Sequence, residues 1–397
     1  MGAMSPVPVT PAPGPSVLDA ASLLCEVADE LVVRSVRDTH VAVLDRVHGI
    51  GRAVTHGGPG VVERAHRGIA GGIYGGLSAG LRAASTGLDR VAATGAGPRL
   101  ESRPEGRFLS AAVNGLIGDK LLRERPQMAI PLAVRRDGSD VEVDEAGLSA
   151  AFPDATGRLV VFLHGLCEDD SYWDRGRDEG RQTYPEALAA TGWTPIVLRA
   201  NTGLPLRENG VAMTALLQRL VEAWPVPVTR IALVGHSMGG LVIRAAGAVA
   251  ADHPQPWTGL VSDVVTLGTP HLGAPVAKGV GHGSRGLGLL PETAAFGRIL
   301  DWRSSGVHDL VAGLTDDVPP LPHARYHLVA ATLSGSEGHP VGRFVGDLLV
   351  RPRSAYGRDA RGRTLFPGAD VLHVGRTDHW GLLNHPDVHG ALATWLS

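Results

Sequence analysis

Ile231-Ala232-Leu233-Val234-Gly235-His236-Ser237-Met238-Gly239-Gly240 is the stretch on which the reading of this chain turns. Four apolar residues make a short buried strand, and the glycines then force a tight turn into a helix that opens at Met238. The pattern is G-x-S-x-G in a strand–turn–helix setting. Gly235 and Gly239 must lack side chains for so sharp a turn to close. Ser237 is thrust out at the top of a sheet, and the dipole of the following helix favours negative charge beside it. A serine presented in this way is a candidate nucleophile.

Working outward, short apolar runs at 159–163, 195–198, 231–234, 261–267, 326–331 and 371–374 predict buried strands. A hairpin is predicted from 129–134 and 140–143 around Asp137-Gly138. Helical patterns at 184–190, 206–223, 238–251 and 386–396 fall between most of the strands. Strands alternating with helices imply a mostly parallel sheet covered on both faces. Residues 275–322 interrupt the alternation and predict an insertion over the catalytic edge, placed as a lid would be. It is Gly-rich at first, then helical around 291–301 and 306–313.

Upstream the texture differs. Residues 1–15 read as a disordered Pro-rich lead, 16–125 as a helical region and 126–397 as the α/β domain. Leu24, Val27, Leu31, Val36, Val43 and Val47 fall at roughly helical spacing. Val61, Ala65, Ile69, Ile73, Leu77, Leu81, Leu88 and Val91 mark a clearer helix. Alongside runs Gly68, Gly72, Gly76 and Gly80, one glycine every four residues. Since glycine costs about 1 kcal/mol in a helix interior, the stripe predicts close approach of another backbone.

Composition narrows the function classes. The chain has 397 residues, 44% hydrophobic, 19% charged and 5% aromatic, with a formal net charge of -3. That is ordinary globular composition, and the charge gives no reason to expect nucleic acid. Cys25 and Cys167 lie in different regions, so a reducing, cytoplasmic setting is the expectation. Met1-Gly2-Ala3-Met4 reads as an added leader, and no signal peptide is visible after it. No apolar run reaches the ~18 residues of a membrane span. The uncharged stretch from Gly68 to Leu81 leaves peripheral membrane association or homo-oligomer contact open for the N-terminal helices. Histidine and cysteine spacings fit no zinc motif, and no G-x-G-x-x-G joins a strand to a helix. No metal or cofactor is expected.

A serine needs a base to take its proton. In a strand–turn–helix serine enzyme the chain order is serine, acid, histidine. Candidate bases are His373, His379, His385 and His389. His379 follows the last strand on a loop, where such a residue must project. Candidate acids after the 326–331 strand are Glu337 and Asp347, while Asp370 and Asp378 lie on the base's own segment. Acyl transfer also needs backbone N–H donors for an oxyanion. Met238, after the serine, supplies one. Leu166, in Phe162-Leu163-His164-Gly165-Leu166-Cys167 at an earlier strand end, is the candidate for the second. His164 and His271 are candidate substrate-binding residues, each with loop bracing as its other reading. Cys167 is read as packing.

From about residue 158 the chain resembles the α/β-hydrolase superfamily, and within it bacterial lipases and lipase-like esterases. The pieces that carry the resemblance are His164-Gly165-Leu166, Gly235 to Gly240, Leu267-Gly268-Thr269-Pro270-His271-Leu272-Gly273, Gly346-Asp347-Leu348-Leu349-Val350 and His379-Trp380-Gly381-Leu382-Leu383. The resemblance implies an α/β-hydrolase fold, a Ser237–His379–Asp347 triad and an oxyanion hole at Leu166 and Met238. Asp347 is preferred because Val350 and Ser354 follow it at the spacing of such lipases. The expected activity is hydrolysis of small-molecule or lipid carboxylic esters, with amides, thioesters and polyesters as alternatives. The helical region of 16–125 has no counterpart in the compact lipases.

Overall fold

The computed structural model describes residues 14–34, 36–38, 40–41, 44–45, 61–249, 253–274, 304–314, 318–339, 342, 345–359 and 361–397. Among these, residues 14–110 and 124–128 belong to one compact unit, and 111–123 with those from 129 onward to another.

The second unit is built on β1 (Ala133–Arg136), β2 (Ser139–Val141), β3 (Arg158–Leu163), β4 (Thr194–Arg199), β5 (Arg230–His236), β6 (Val261–Leu267), β7 (Arg325–Thr332) and β8 (Asp370–Gly375). They form one sheet in the order β2-β1-β4-β3-β5-β6-β7-β8. Strand β1 is antiparallel to β2 and β4, and the other pairs are parallel. The expected hairpin is present, with Asp137 at φ 50° and Gly138 at φ 75°, as a two-residue turn with both φ positive requires.

Alternation along β3 shows how the sheet is covered. Leu159, Val161 and Leu163 face a core shared with Leu216, Leu217 and Leu220 of one helix (Leu206–Ala223) and Leu241 and Val242 of another (Met238–Gly247). Val160 and Phe162 point the other way, into a core shared with Tyr184, Leu188, Val388 and Leu392. Each large side chain so buried contributes about 1.5–3 kcal/mol. Two buried faces explain why the strands read as continuous apolar runs rather than alternating ones.

Most of the 275–322 insertion, including the helix expected at 291–301, lies outside the described residues. Its last part forms the helix Ser305–Ala312, capped by Ser304 Oγ, which accepts from Val307 N at 3.2 Å. Leu314, Val318 and Leu321 then join the buried core.

In the first unit, α1 (Val17–Val27) starts with a capping box between Ser16 and Asp19. It lies against α2 (Val61–Ala92), where Ser22 Oγ meets Ser85 Oγ at 2.9 Å. Arg125 joins the two helices by bonding Glu26 of α1 and Asp89 of α2. The expected close approach along the glycine stripe is corrected here. A Cβ on Gly68, Gly72, Gly76 or Gly80 would meet nothing within 4 Å among the described residues. Ile69, Ile73 and Leu77 are also exposed. Among the described residues nothing packs on the stripe, so there its glycines carry their helix penalty without a packing gain.

Two predictions follow from these arrangements. Gly72→Ala and Gly76→Ala should each raise the stability of the helical unit by about 0.5–1 kcal/mol, read as a higher denaturation midpoint. A fall would mean that the stripe is packed.

The second concerns Asp263, fully buried on β6 among Arg230 at 2.9 Å, Arg325 at 2.9 Å and His327 at 3.1 Å. Burial alone would push its pKa up. The bonds from His327, Ser262 and Arg230 and the Arg325 charge outweigh it and hold the carboxyl at about 2, against 3.8 ordinarily. A depressed carboxylate stabilises the fold above its unfolded pKa, and that stability is lost as pH falls toward the folded value. Between pH 4 and 2 the group should account for a loss of about 2 kcal/mol, a slope that Asp263→Asn should lack in acid denaturation.

Candidate active site

Strand β5 ends at His236 and the next helix begins at Met238, so Ser237 alone makes the turn. It does so at φ 51° and ψ −121°. Such a conformation costs a residue bearing a side chain about 1–3 kcal/mol and persists only where its surroundings enforce it. Here Ser237 N donates to Leu267 O at 2.8 Å, pinning the turn to the end of β6. A Cβ on Gly235 would lie 2.5 Å from Gly240 N, and one on Gly239 would lie 2.3 Å from Leu163 O. The two motif glycines are therefore required by clearance.

The structure brings His379 and Asp347 together. His379 Nδ1 and Asp347 Oδ2 are 2.8 Å apart, and both residues are buried. His379 N also donates to Asp347 O at 3.0 Å. The other carboxylate oxygen, Oδ1, accepts from Leu349 N at 3.0 Å and Val350 N at 2.7 Å. The carboxylate is thus fixed by its own loop before it meets the ring. The imidazole packs on Gly268, where a Cβ would come within 3.1 Å of it. Ser237 and His379 therefore converge on Leu267-Gly268. His379 Nε2 is buried without a hydrogen-bond partner among the described residues.

The rival candidates are engaged elsewhere. Glu337 is exposed and bonds the Tyr356 side chain. Asp370 faces His327 at 3.0 Å, and Asp378 accepts from Gly381 N at 2.7 Å. His373 meets Thr332 Oγ1 at 2.8 Å within the sheet. His385 caps the last helix, and His389 bonds Gln182 O at 2.9 Å.

The loop after β3 faces the serine turn. A Cβ on Gly165 would lie 2.9 Å from Ser237 Cβ, so this loop approaches the serine as closely as glycine permits. Neither Leu166 N nor Met238 N donates to another described residue. Cys167 takes φ 61° and its N–H donates to Thr202 Oγ1 at 3.1 Å. Burial pushes its thiol pKa up to about 11, which removes the thiolate a cysteine nucleophile needs.

Behind Cys167 stands α3 (Pro104–Glu124), a helix within the region read as helical, though no pattern marks its bounds. Its apolar residues are scattered around the axis: Ala111, Ile117 and Leu121 are buried while Phe108, Leu116 and Leu122 are exposed. No single stripe announces it. Ile117 breaks the helix at φ −141°, ψ 23°. The carbonyls near the break are taken up by Ser304, whose Oγ donates to Gly115 O and whose N donates to Leu116 O, both at 2.7 Å. A Cβ on Gly115 would lie 2.4 Å from Cys167 Sγ and 2.8 Å from Cys167 N.

His164 and His271 make the bracing contacts that are the other reading of each. His164 Nδ1 meets Gly165 O at 2.9 Å, and its Nε2 accepts from Ala200 N at 3.0 Å. Both nitrogens brace backbone. His271 is buried against Phe366, with Nε2 3.3 Å from Thr266 Oγ1. Burial, then the Arg244 charge, lower its pKa to about 3, so the ring is neutral. Its Nδ1 is buried without a hydrogen-bond partner among the described residues.

Sequence reasoning missed one buried pair. Glu168 Oε2 lies 2.9 Å from His236 Nδ1 and also accepts from Gly165 N at 2.7 Å. Burial pushes the Glu168 pKa up, but the His236 charge and hydrogen bond and the Gly165 N–H outweigh it and hold the carboxyl low. Burial pushes the His236 ring down, but Glu168 outweighs it and holds the ring above the usual histidine value. The only sequence signal was an acid shortly after His164-Gly165.

Gly115→Ala should destabilise the sheet-bearing unit by about 1–3 kcal/mol, because backbone, not only a flexible side chain, stands where the methyl would go. Thermal denaturation beside Gly390→Ala, where a Cβ meets nothing within 4 Å, checks this. Equal midpoints would contradict the close contact.

Residues 204–282, which include the serine turn, match a family described as PGAP1-like alpha/beta domain. A triacylglycerol lipase of Burkholderia plantarii is 29% identical over 146 residues, 35% of this chain and 37% of that protein. One of Pseudarthrobacter phenanthrenivorans is 30% identical over 129 residues, 31% of this chain and 36% of that protein. The chain thus spans about a third of the length of these curated relatives. Among solved structures, the mature Bacillus licheniformis lipase BlEst2 is 22% identical, with a TM-score of 0.42 over 60% of this chain and 91% of that one. Sheet, serine turn and local sequence agree: the chain carries an α/β-hydrolase fold and is similar to lipases and esterases.

Proposed function

We propose that this protein hydrolyses carboxylic esters through an acyl-enzyme intermediate, with Ser237 as nucleophile, His379 as general base and Asp347 as the acid that orients it. One observation carries the reading. Beside the serine turn lies a buried imidazole bonded through Nδ1 to Asp347 at 2.8 Å, with Nε2 left without a partner among the described residues. A ring held in this way has one tautomer, with its acceptor nitrogen on Nε2. No hydrogen bond joins Nε2 to Ser237 in this structure, as is common before substrate tightens such a contact.

Ser237 Oγ attacks the ester carbonyl as His379 Nε2 takes its proton. The carbonyl electrons move onto oxygen, and the Leu166 and Met238 amides donate to the oxyanion. Collapse expels the alcohol, which receives the proton from His379. Water then attacks the acyl carbonyl as His379 takes one of its protons, and collapse releases the carboxylic acid while that proton passes to Ser237 Oγ. Asp347 stabilises the imidazolium at each stage without itself accepting the proton. The two lipase relatives favour an ester with an apolar acyl part, a lipid ester among them.

Ser237→Ala should lower hydrolysis of p-nitrophenyl esters by about 10³-fold or more, and Asp347→Asn by about 10⁴-fold. A fluorophosphonate probe should label the parent protein and not Ser237→Ala. Turnover by Ser237→Ala comparable to the parent would overturn the assignment. A graded series of acyl lengths would identify the preferred acyl group.

A further inference from the structure

We infer that Glu168 and His236 are a positioning pair, in which a charged His236 ring ties the oxyanion loop to the loop that carries His379. The inference rests on the acyl-enzyme reading above. It begins from what the ring touches. His236 Nδ1 faces Glu168 Oε2 at 2.9 Å, and Nε2 faces the His379 carbonyl oxygen at 3.2 Å. A backbone carbonyl can only accept, and so can an ionised carboxylate. A neutral imidazole has one N–H and would leave one of these contacts between two lone pairs, whereas an imidazolium donates to both. Glu168 supplies the compensating negative charge, and both side chains are buried. An unpaired charge at such depth would be strongly destabilising.

The geometry makes this more than an internal ion pair. The Glu168 oxygen that meets the ring also accepts from Gly165 N at 2.7 Å. Gly165 immediately precedes Leu166, whose N–H is one of the proposed oxyanion donors. His236 immediately precedes Ser237. His379 is held from two sides, since Asp347 bonds its N–H and Nδ1 while His236 bonds its carbonyl. One carboxylate oxygen and one ring therefore link the oxyanion loop, the nucleophile turn and the base loop. Displacement of any of them by about 1 Å costs up to about 10²-fold in rate.

Glu168→Gln is nearly isosteric but neutral. It can still accept from Gly165 N, but it no longer balances a charged ring. His236 then becomes neutral and loses one of its two donated bonds. On p-nitrophenyl butyrate we expect kcat to fall about 10- to 100-fold with KM changed less than about twofold, the pattern of a displaced site with intact substrate binding. Nitrogen-15 NMR of the histidine rings at pH 7.5 should show both His236 nitrogens protonated in the parent and one in Glu168→Gln. If Glu168→Gln does not fold, His236→Asn keeps a donor toward Glu168, lacks one toward His379, and should lower kcat in the same way. A folded Glu168→Gln with parental kcat, or a parent His236 ring with one N–H, overturns the inference. Ser237→Ala, assayed in parallel, separates the two failures: if it still turns over ester, the acyl-enzyme reading falls, while the ring signals still decide the pair.

Discussion

Ser237 holds a backbone conformation that a residue with a side chain avoids, and much of the sheet-bearing unit is arranged so that it has no alternative. The turn is pinned by its own N–H to the end of β6 at 2.8 Å. It is closed by glycines whose missing side chains let Gly240 N and Leu163 O approach. Leu163 and Leu267 end β3 and β6, so the parallel registers of β3, β5 and β6 set the geometry of the turn. A slip of one residue would turn every side chain of a strand to the opposite face. Sheet order, core and serine are thus one constraint.

The same dependence explains what could be read in advance. Strands buried on both faces leave long apolar runs, and a turn that tolerates only glycine leaves glycine in fixed places. These are local signals, and the sheet and Ser237 were legible from them. His379 was legible because it follows a strand end. Asp347 was not separable from Glu337 by position alone, and the resemblance to lipases was needed. What divides the two is a loop in which Leu349 N and Val350 N turn one carboxylate inward.

Other features were out of reach for a different reason. The glycine stripe of α2 has the spacing of a close helix contact, yet spacing cannot say what stands opposite. The apolar residues of α3 follow no stripe because the helix breaks at Ile117 and changes its packing along its length. Glu168 and His236 are 68 positions apart in the chain, and nothing in either segment announces the other. Partnerships between distant polar residues appear only once the fold has placed them.

The segment of α3 that lies behind Cys167 belongs by packing to the sheet-bearing unit, although it precedes the first strand of the sheet. Gly115 and Gly118 admit Cys167 and Asn201, and Ser304 closes the break beside them. A chain cut to begin at the first strand would keep the serine, its turn and its histidine, yet lose the wall behind the loop opposite them. A piece of the chain that keeps this wall therefore starts no later than residue 111, inside what reads in sequence as a separate helical region.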